Sequence, residues 1–416
     1  MQSEPELTVD GALPGVVVEM TAPTALHDAL RGTEGAAIPI SVAGIAATIV
    51  MGCVALLMLG IQPIVLGGLQ AAGRLSVPQM GQAATVETLA LGVVSAGMAA
   101  RVPHRGLRFW GLGSALLLLA ANAMGVVTSG SGFVLSRALA GAAAGVIVWI
   151  AVGLITRRQD ASRVNAIFLG AQALSQGAVA ALAPMVLAPA LGANSGLWVI
   201  AAGAALCLPL LLLIPGSLPE LPAEIRRGAG LQISSLSGLA SSLLLMGGIV
   251  GVWVYVEPIA HAIHIPERTI SLSIAASLGA QVVGAMIIVA ADRWVRPVAG
   301  LLATAAAFLA VTAAFAWPSS QAAFVVATVA FGLLWTAALA LGMPLLIAAD
   351  PTRRAPMYGP AATLLGSSLG PLAAGAFATD SNMKPALATA AVLFVLGAAA
   401  TAVSAGTRPR PARSSS

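Results

Sequence analysis

Glu87 and Arg137 are ionisable side chains set inside long runs of apolar residues. A carboxylate that gains and loses a buried arginine partner changes its proton affinity by orders of magnitude, so such a pair can exchange a proton as its surroundings change. The guanidinium can equally act as a plain counter-charge or as the binding group for an organic anion. Arg137 stands in Leu135-Ser136-Arg137-Ala138-Leu139-Ala140-Gly141-Ala142-Ala143-Ala144-Gly145, where Gly141 and Gly145 at i+4 and i+8 share its helix face and let a neighbouring backbone approach. Glu87 lies roughly 12 Å of helix from the end of its run and Arg137 roughly 9 Å from the same side, so the two can pair. The plainer alternative is a fixed structural ion pair.

A second group of chemically capable residues is Tyr255, Glu257, His261, His264, Glu267 and Arg268. Glu257 and His261 are spaced i and i+4, and His264 falls on the same face if the helix continues. Tyr255, Glu257 and His261 are candidates for an outer gate or pH-sensing element; a metal site and a simple solvated helix end are the alternatives. One-sided polar faces recur at Gln172, Ser175 and Gln176, at Ser273, Ser277 and Gln281, and at Tyr358, Thr363 and Ser367. Each face lines an aqueous path or hydrogen-bonds across helices. Trp335 and Thr336 join Gln172 and Gln176 as candidate lining groups, with Ser241, Ser242 and Trp253 weaker ones.

Soluble-site chemistry is missing. There is no Gly-rich phosphate loop with a lysine, Lys384 being the single lysine, and no His-Glu-x-x-His or Gly-x-Ser-x-Gly. No cofactor is expected, and the chain does not read as an enzyme. Cys53 and Cys207 sit in apolar runs, where neither a disulfide framework nor a thiolate zinc site is plausible.

These residues must be positioned by membrane helices. Only 8% of the 416 residues are charged, 58% are hydrophobic and the mean hydropathy is +0.95. Twelve apolar stretches are expected as spans, at 38–67, 79–100, 108–128, 131–155, 164–190, 196–215, 237–260, 269–290, 297–316, 320–348, 357–378 and 384–405. Each is long enough in helix to cross a bilayer core of roughly 30 Å, where the backbone must satisfy its own hydrogen bonds. Of the 20 basic residues, 16 fall in the tails and on alternate connections, and three (Arg74, Arg268, Lys384) on the opposite side. The positive-inside rule then puts both termini and the Arg-rich loops in the cytoplasm. The net charge of +5 is therefore a topology signal, and no nucleic-acid partner is expected. Residues 1–37, acidic and without a basic leader, and residues 406–416 read as disordered cytoplasmic tails.

An offset of 191 residues superimposes Arg101 on Asp292, Arg105 on Arg296, Gly141 on Gly332 and Arg163 on Arg354, as expected of a parallel duplication. The halves are 38–215 and 237–405, joined by a polar cytoplasmic linker at 216–236. Six spans plus six, the Pro-bearing linker and Arg137-x-x-x-Gly141-x-x-x-Gly145 together resemble the major facilitator superfamily. Gly366-x-x-x-Gly370-Pro371-x-x-x-Gly375 is similar to that family's Gly-Pro helices. The loop signature departs from the family pattern: Gly97 is followed by Arg101 where an Asp belongs, while the repeat copy keeps Asp292-Arg293. The drug-antiporter and sugar-porter signatures are absent.

The resemblance implies an all-α membrane protein of two six-helix bundles that works by alternating access around a central site. The function expected is secondary active transport of a small organic solute across the inner membrane of a bacterium, by a protein acting as a monomer among lipid. Proton coupling is expected, and efflux is slightly favoured over uptake because the pathway is rich in Ala, Gly, Leu and Val. An uptake symporter or uniporter for an organic anion is one alternative, and a transport-inactive sensor or scaffold another.

Overall fold

In the computed structural model the described residues are 40–101, 105–156, 158, 161–217, 232–291, 296–317, 320–350, 355–379 and 382–407. The tail at 1–37, residues 408–416 of the other tail, most of the linker at 216–236 and the Asp292-Arg293 loop lie outside them. Among the described residues twelve helices have 16 or more residues: α1 (Val42–Ala71), α2 (Val77–Arg101), α3 (Leu107–Val127), α4 (Gly130–Thr156), α5 (Ala161–Leu182), α6 (Ser195–Leu210), α7 (Ile233–Trp253), α8 (Glu267–Ala291), α9 (Pro297–Ala316), α10 (Gln321–Ala349), α11 (Ala355–Phe377) and α12 (Lys384–Gly406).

The packing repeats with a shift of six helices. Within the first half α2 packs on α4, α1 on α4, α5 and α6, and α3 on α4 and α6; within the second, α8 packs on α10, α7 on α10, α11 and α12, and α9 on α10 and α12. The halves meet through α2 on α11 and α5 on α8. These four contact helices are the least apolar of the twelve. Helices that face another bundle or a wet cavity can carry hydroxyls and amides, whereas lipid-facing ones cannot leave them unpaired.

Nine segments among the described residues are long and apolar enough to cross a membrane, the stretch Ile167–Leu210 running through both α5 and α6. The two helices outside those segments are α2, with Gln79, Gln82, Thr85, Glu87 and Thr88, and α11, with Thr363, Ser367, Ser368 and the two interior prolines Pro360 and Pro371. They form one of the two pairs that join the bundles.

Small residues set the helix spacing. Gly332 of α10 lies against the Ser277 carbonyl of α8 just as Gly141 of α4 lies against the Glu87 carbonyl of α2. Gly141 and Gly332 are the residues that the 191-residue offset aligns. On α11, Gly366 and Gly370 lie against the Leu243 and Gly247 carbonyls of α7.

The condition on which His264 would share a face with Glu257 and His261 is not met: the seventh span does not continue as a helix to His264. It breaks after Trp253, resumes as a short helix Val256–Ala262 and ends there, with His264 in a left-handed conformation (φ 60°). Pro258 has no N–H for the Val254 carbonyl, and Tyr255 N–H bonds the Val252 carbonyl three residues back, tightening the turn. Glu257 and His261 stay on one face; His264 leaves it.

Candidate functional site

Arg137 is fully buried within the first bundle. Its Nη1 stands 3.3 Å from Glu87 Oε1, its Nη2 donates to Asn122 Oδ1 of α3 at 3.0 Å, and the guanidinium lies 5.6 Å from the Phe133 ring centroid. Asn122 Nδ2 in turn donates to the Leu118 carbonyl (2.8 Å), which fixes the amide with its oxygen toward the arginine. Glu87 Oε2 and Arg137 Nε have no hydrogen-bond partner among the described residues. The pair is therefore held in place but incompletely satisfied, and a buried ion pair owes its stability to the quality of that geometry. Gly141 and Gly145 make the approach possible, since a Cβ on them would come within 2.1 Å of the Glu87 carbonyl oxygen and 2.6 Å of the Leu91 carbonyl oxygen.

A second constellation joins the bundles at the face that is poor in arginine. Because α7 breaks at Tyr255, that side chain reaches out to α2 and α11: its hydroxyl donates to the Pro371 carbonyl (3.1 Å) or the Val77 carbonyl (3.4 Å). Gly81 and Gly375 flank it so closely that a Cβ on either would lie within 2.4 Å of the hydroxyl oxygen. One turn deeper, Thr85 Oγ1 donates to the Ser368 carbonyl at 2.6 Å, again from α2 to α11. Two residues beyond Tyr255, the buried Glu257 rests on α1, where Gly67 leaves room for it. His261 Nε2 is 3.6 Å from Glu257 Oε1 and about a third exposed. The neighbouring Glu257 carboxylate raises the His261 pKa above the usual histidine value.

The other residues singled out from the sequence are placed around this boundary. Gln176 Nε2 donates to the Leu56 carbonyl at 2.8 Å and occupies the space beside Gly60, linking α5 to α1. Gln172 Oε1 is buried without a hydrogen-bond partner among the described residues. Trp335 meets Trp253 edge to face at 5.6 Å, and Thr336 Oγ1 donates to the Gln281 carbonyl at 2.9 Å, tying α10 to α8. Asn122 and Gln62 are additions that the sequence reading passed over. Gln62 of α1 is fully buried, with neither amide atom hydrogen-bonded among the described residues.

A cavity of about 850 Å³ lies in the Arg-rich half, between α2 and α11 and bordered by α7 and α10. Leu89, Leu91, Val93, Met246, Met343 and Leu364 give it an apolar wall, and Thr88, Ser95, Ser241, Ser242, Thr363 and Ser368 contribute hydroxyls. Glu87, Arg137, Gln172, Gln176, Trp335 and Thr336 are not among the lining residues.

No family model and no curated protein matches the sequence. Solved structures do match. A bacterial homologue of the human lysosomal transporter Spinster, in an inward-facing and unoccupied conformation, aligns with a TM-score of 0.66 at 12% identity over 91% of this chain and all of that one. The nucleoside transporter NupG aligns at 0.66 and 14% identity, over 86% of this chain and 98% of its own. A proton-dependent oligopeptide transporter aligns at 0.65 and 10% identity, over 88% and 98%. This chain has the major facilitator fold. In the major facilitator fold of this chain, the seam closed by Tyr255 and the apolar cavity lie at opposite ends of the α2–α11 boundary.

Proposed function

We propose that this chain is a proton-coupled secondary transporter for a small, uncharged or largely apolar organic solute, with its Arg-rich face in the cytoplasm. The observation that carries this reading is the cavity: large enough for an organic solute, walled by both bundles, apolar with a scatter of hydroxyls, and with no charged side chain lining it among the described residues. A solute is retained in such a space by apolar burial and oriented by a few hydroxyls. An organic anion fits less well, because Arg137 is already engaged by Glu87 and Asn122 behind the cavity wall. Thr88, which lines the cavity, directly follows Glu87. A solute pressing on α2 there bears on the helix that carries the carboxylate.

The sealed Arg-poor end and the cavity in the Arg-rich half correspond to an inward-facing state, the conformation in which the Spinster homologue was solved. Alternating access then requires the Tyr255 seam to part while the cavity closes. The apolar wall favours efflux over uptake of nutrients.

The test is solute-triggered proton movement in liposomes carrying the purified protein and an entrapped pH dye, screened across uncharged hydrophobic compounds and organic acids. Proton movement with uncharged compounds that is lost in Glu87→Gln supports the reading. Flux without proton movement overturns the coupling, and a signal with organic acids alone overturns the solute class.

A further inference from the structure

Glu257 is a carboxylate that the cavity and the Arg137 pair leave unused. It belongs to the second bundle, yet its Cβ, Cγ and Cδ each lie 2.8 Å from where a Cβ on Gly67 of the first bundle would stand, and its Oε1 lies 3.8 Å from the equivalent point on Gly68. Only 4% of its surface is exposed. That burial is a property of the sealed state, because α1 provides the cover and the break that aims Tyr255 into the α2–α11 notch also sets Glu257 on α1. Parting the bundles at this end uncovers both residues together.

The charged and titratable groups facing Glu257 are few. His261 lies on its own short helix at 3.6 Å and Glu267, at the start of α8, adds a second negative charge; from α1 it meets Gly67 and Gly68, which carry none. Tyr255, also titratable, points its hydroxyl away to Pro371 and Val77. Once uncovered, a carboxylate near its ordinary pKa of about 4.3 and an imidazole near about 6.5 hold no proton between them above neutrality. Once buried, a lone carboxylate charge is costly, and one proton removes the cost on either site, as a neutral carboxyl beside a neutral imidazole or as a carboxylate beside an imidazolium.

We propose that Glu257 and His261 form a proton-binding site coupled to the outer seal, such that closing the seal captures one proton on the pair and opening it returns that proton to the outside. This rests on the alternating-access reading above and adds to it a second titrating site, at the outer seam. Because the closed state holds one proton more than the open state, closure is favoured as pH falls, by up to about tenfold in the closed-to-open ratio per pH unit.

The experiment needs no solute. Spin labels are placed at Ala72→Cys and Ala322→Cys, exposed positions at the outer ends of the two bundles, in full-length protein in lipid nanodiscs; Cys53 and Cys207 are buried. The distance distribution is then recorded from pH 5 to pH 9. The expected result is a short-distance population that grows as pH falls, that predominates at every pH in Glu257→Gln, and that reaches its midpoint at lower pH in His261→Asn. Gly67→Ala, which pushes Glu257 off α1 without touching a titratable group, should favour the long distance throughout. A pH-independent distribution in the parent protein, a wild-type pH response in Glu257→Gln, or a permanently open Glu257→Gln overturns the proposal, and an unmoved midpoint in His261→Asn removes that residue from the site. Liposome flux that proves proton-independent tells against the transport reading alone, since the distance measurement stands apart from it.

Discussion

Gly141 of α4 lies so close to Glu87 of α2 that a Cβ at position 141 would fall 2.1 Å from the Glu87 carbonyl oxygen. The obstacle is backbone, which cannot rotate aside as a side chain can, so any larger residue must push the helices apart. The distance from Arg137 to Glu87 is set by that same contact, because the guanidinium reaches the carboxylate from one turn earlier on α4. Gly141→Ala is therefore expected to destabilise the protein by roughly 1–3 kcal/mol, the usual cost of overpacking, and to lengthen the ion pair. Thermal unfolding in detergent checks this, with Gly113→Ala, where a Cβ meets nothing within 4 Å, as the neutral comparison.

Arg137→Ala should be worse than removing both charges. With the arginine gone, a buried Glu87 faces only Asn122's neighbourhood and an apolar surround, and breaking a buried pair from one side typically costs about 3–5 kcal/mol. Replacing the carboxylate as well, as Arg137→Ala with Glu87→Gln, should recover a substantial part of that loss. With the parent protein and Glu87→Gln alone, the four unfolding midpoints form a double-mutant cycle, and a double variant no more stable than Arg137→Ala would mean that the carboxylate is not the group left exposed by the loss.

Tyr255→Phe removes the hydroxyl that bridges α7 to α11 and leaves its ring in the notch between Gly81 and Gly375. Loss of one buried hydrogen bond of this kind is worth about 1 kcal/mol, or roughly a fivefold shift in a two-state equilibrium. The expected outcome is a larger outward-open fraction at any given pH, with the pH dependence itself retained because Glu257 is untouched. The distance between labels at 72 and 322 reports both quantities at once.

Much of this architecture is legible in the sequence, because the bilayer forces backbone satisfaction into helices long enough to count. The 191-residue offset works for the same reason: Gly141 and Gly332 occupy equivalent close crossings, and a close crossing tolerates little besides glycine. The approach of Arg137 to Glu87 follows from comparable depth along their spans. What resists such counting is anything set by a break or by a third helix. The turn at Tyr255 rotates that side chain out of the α7 pattern and toward α2, which helical spacing cannot anticipate, and it ends the face that His264 would share if the helix continued. Asn122 gave a signal, an amide inside an apolar span, but its role depends on α3 lying beside α4. Gln172 and Gln176 are one-sided in sequence, yet one-sidedness alone does not separate a cavity wall from a helix contact.

Gln62 gives a prediction of the opposite sign to most. It is fully buried in α1, and neither its amide nitrogen nor its oxygen is hydrogen-bonded among the described residues. An unsatisfied buried amide costs roughly 1–3 kcal/mol, while an unbranched thioether of similar length fills the same space without that penalty. Gln62→Met is thus expected to raise the unfolding temperature. If the same variant also loses solute flux in liposomes, the amide is retained for a partner met during transport, in keeping with the tendency of functional sites to hold groups that folding alone would discard. A Gln62→Met protein that is less stable than its parent would show instead that the amide is satisfied in the folded state, and would remove it from consideration as a transport residue.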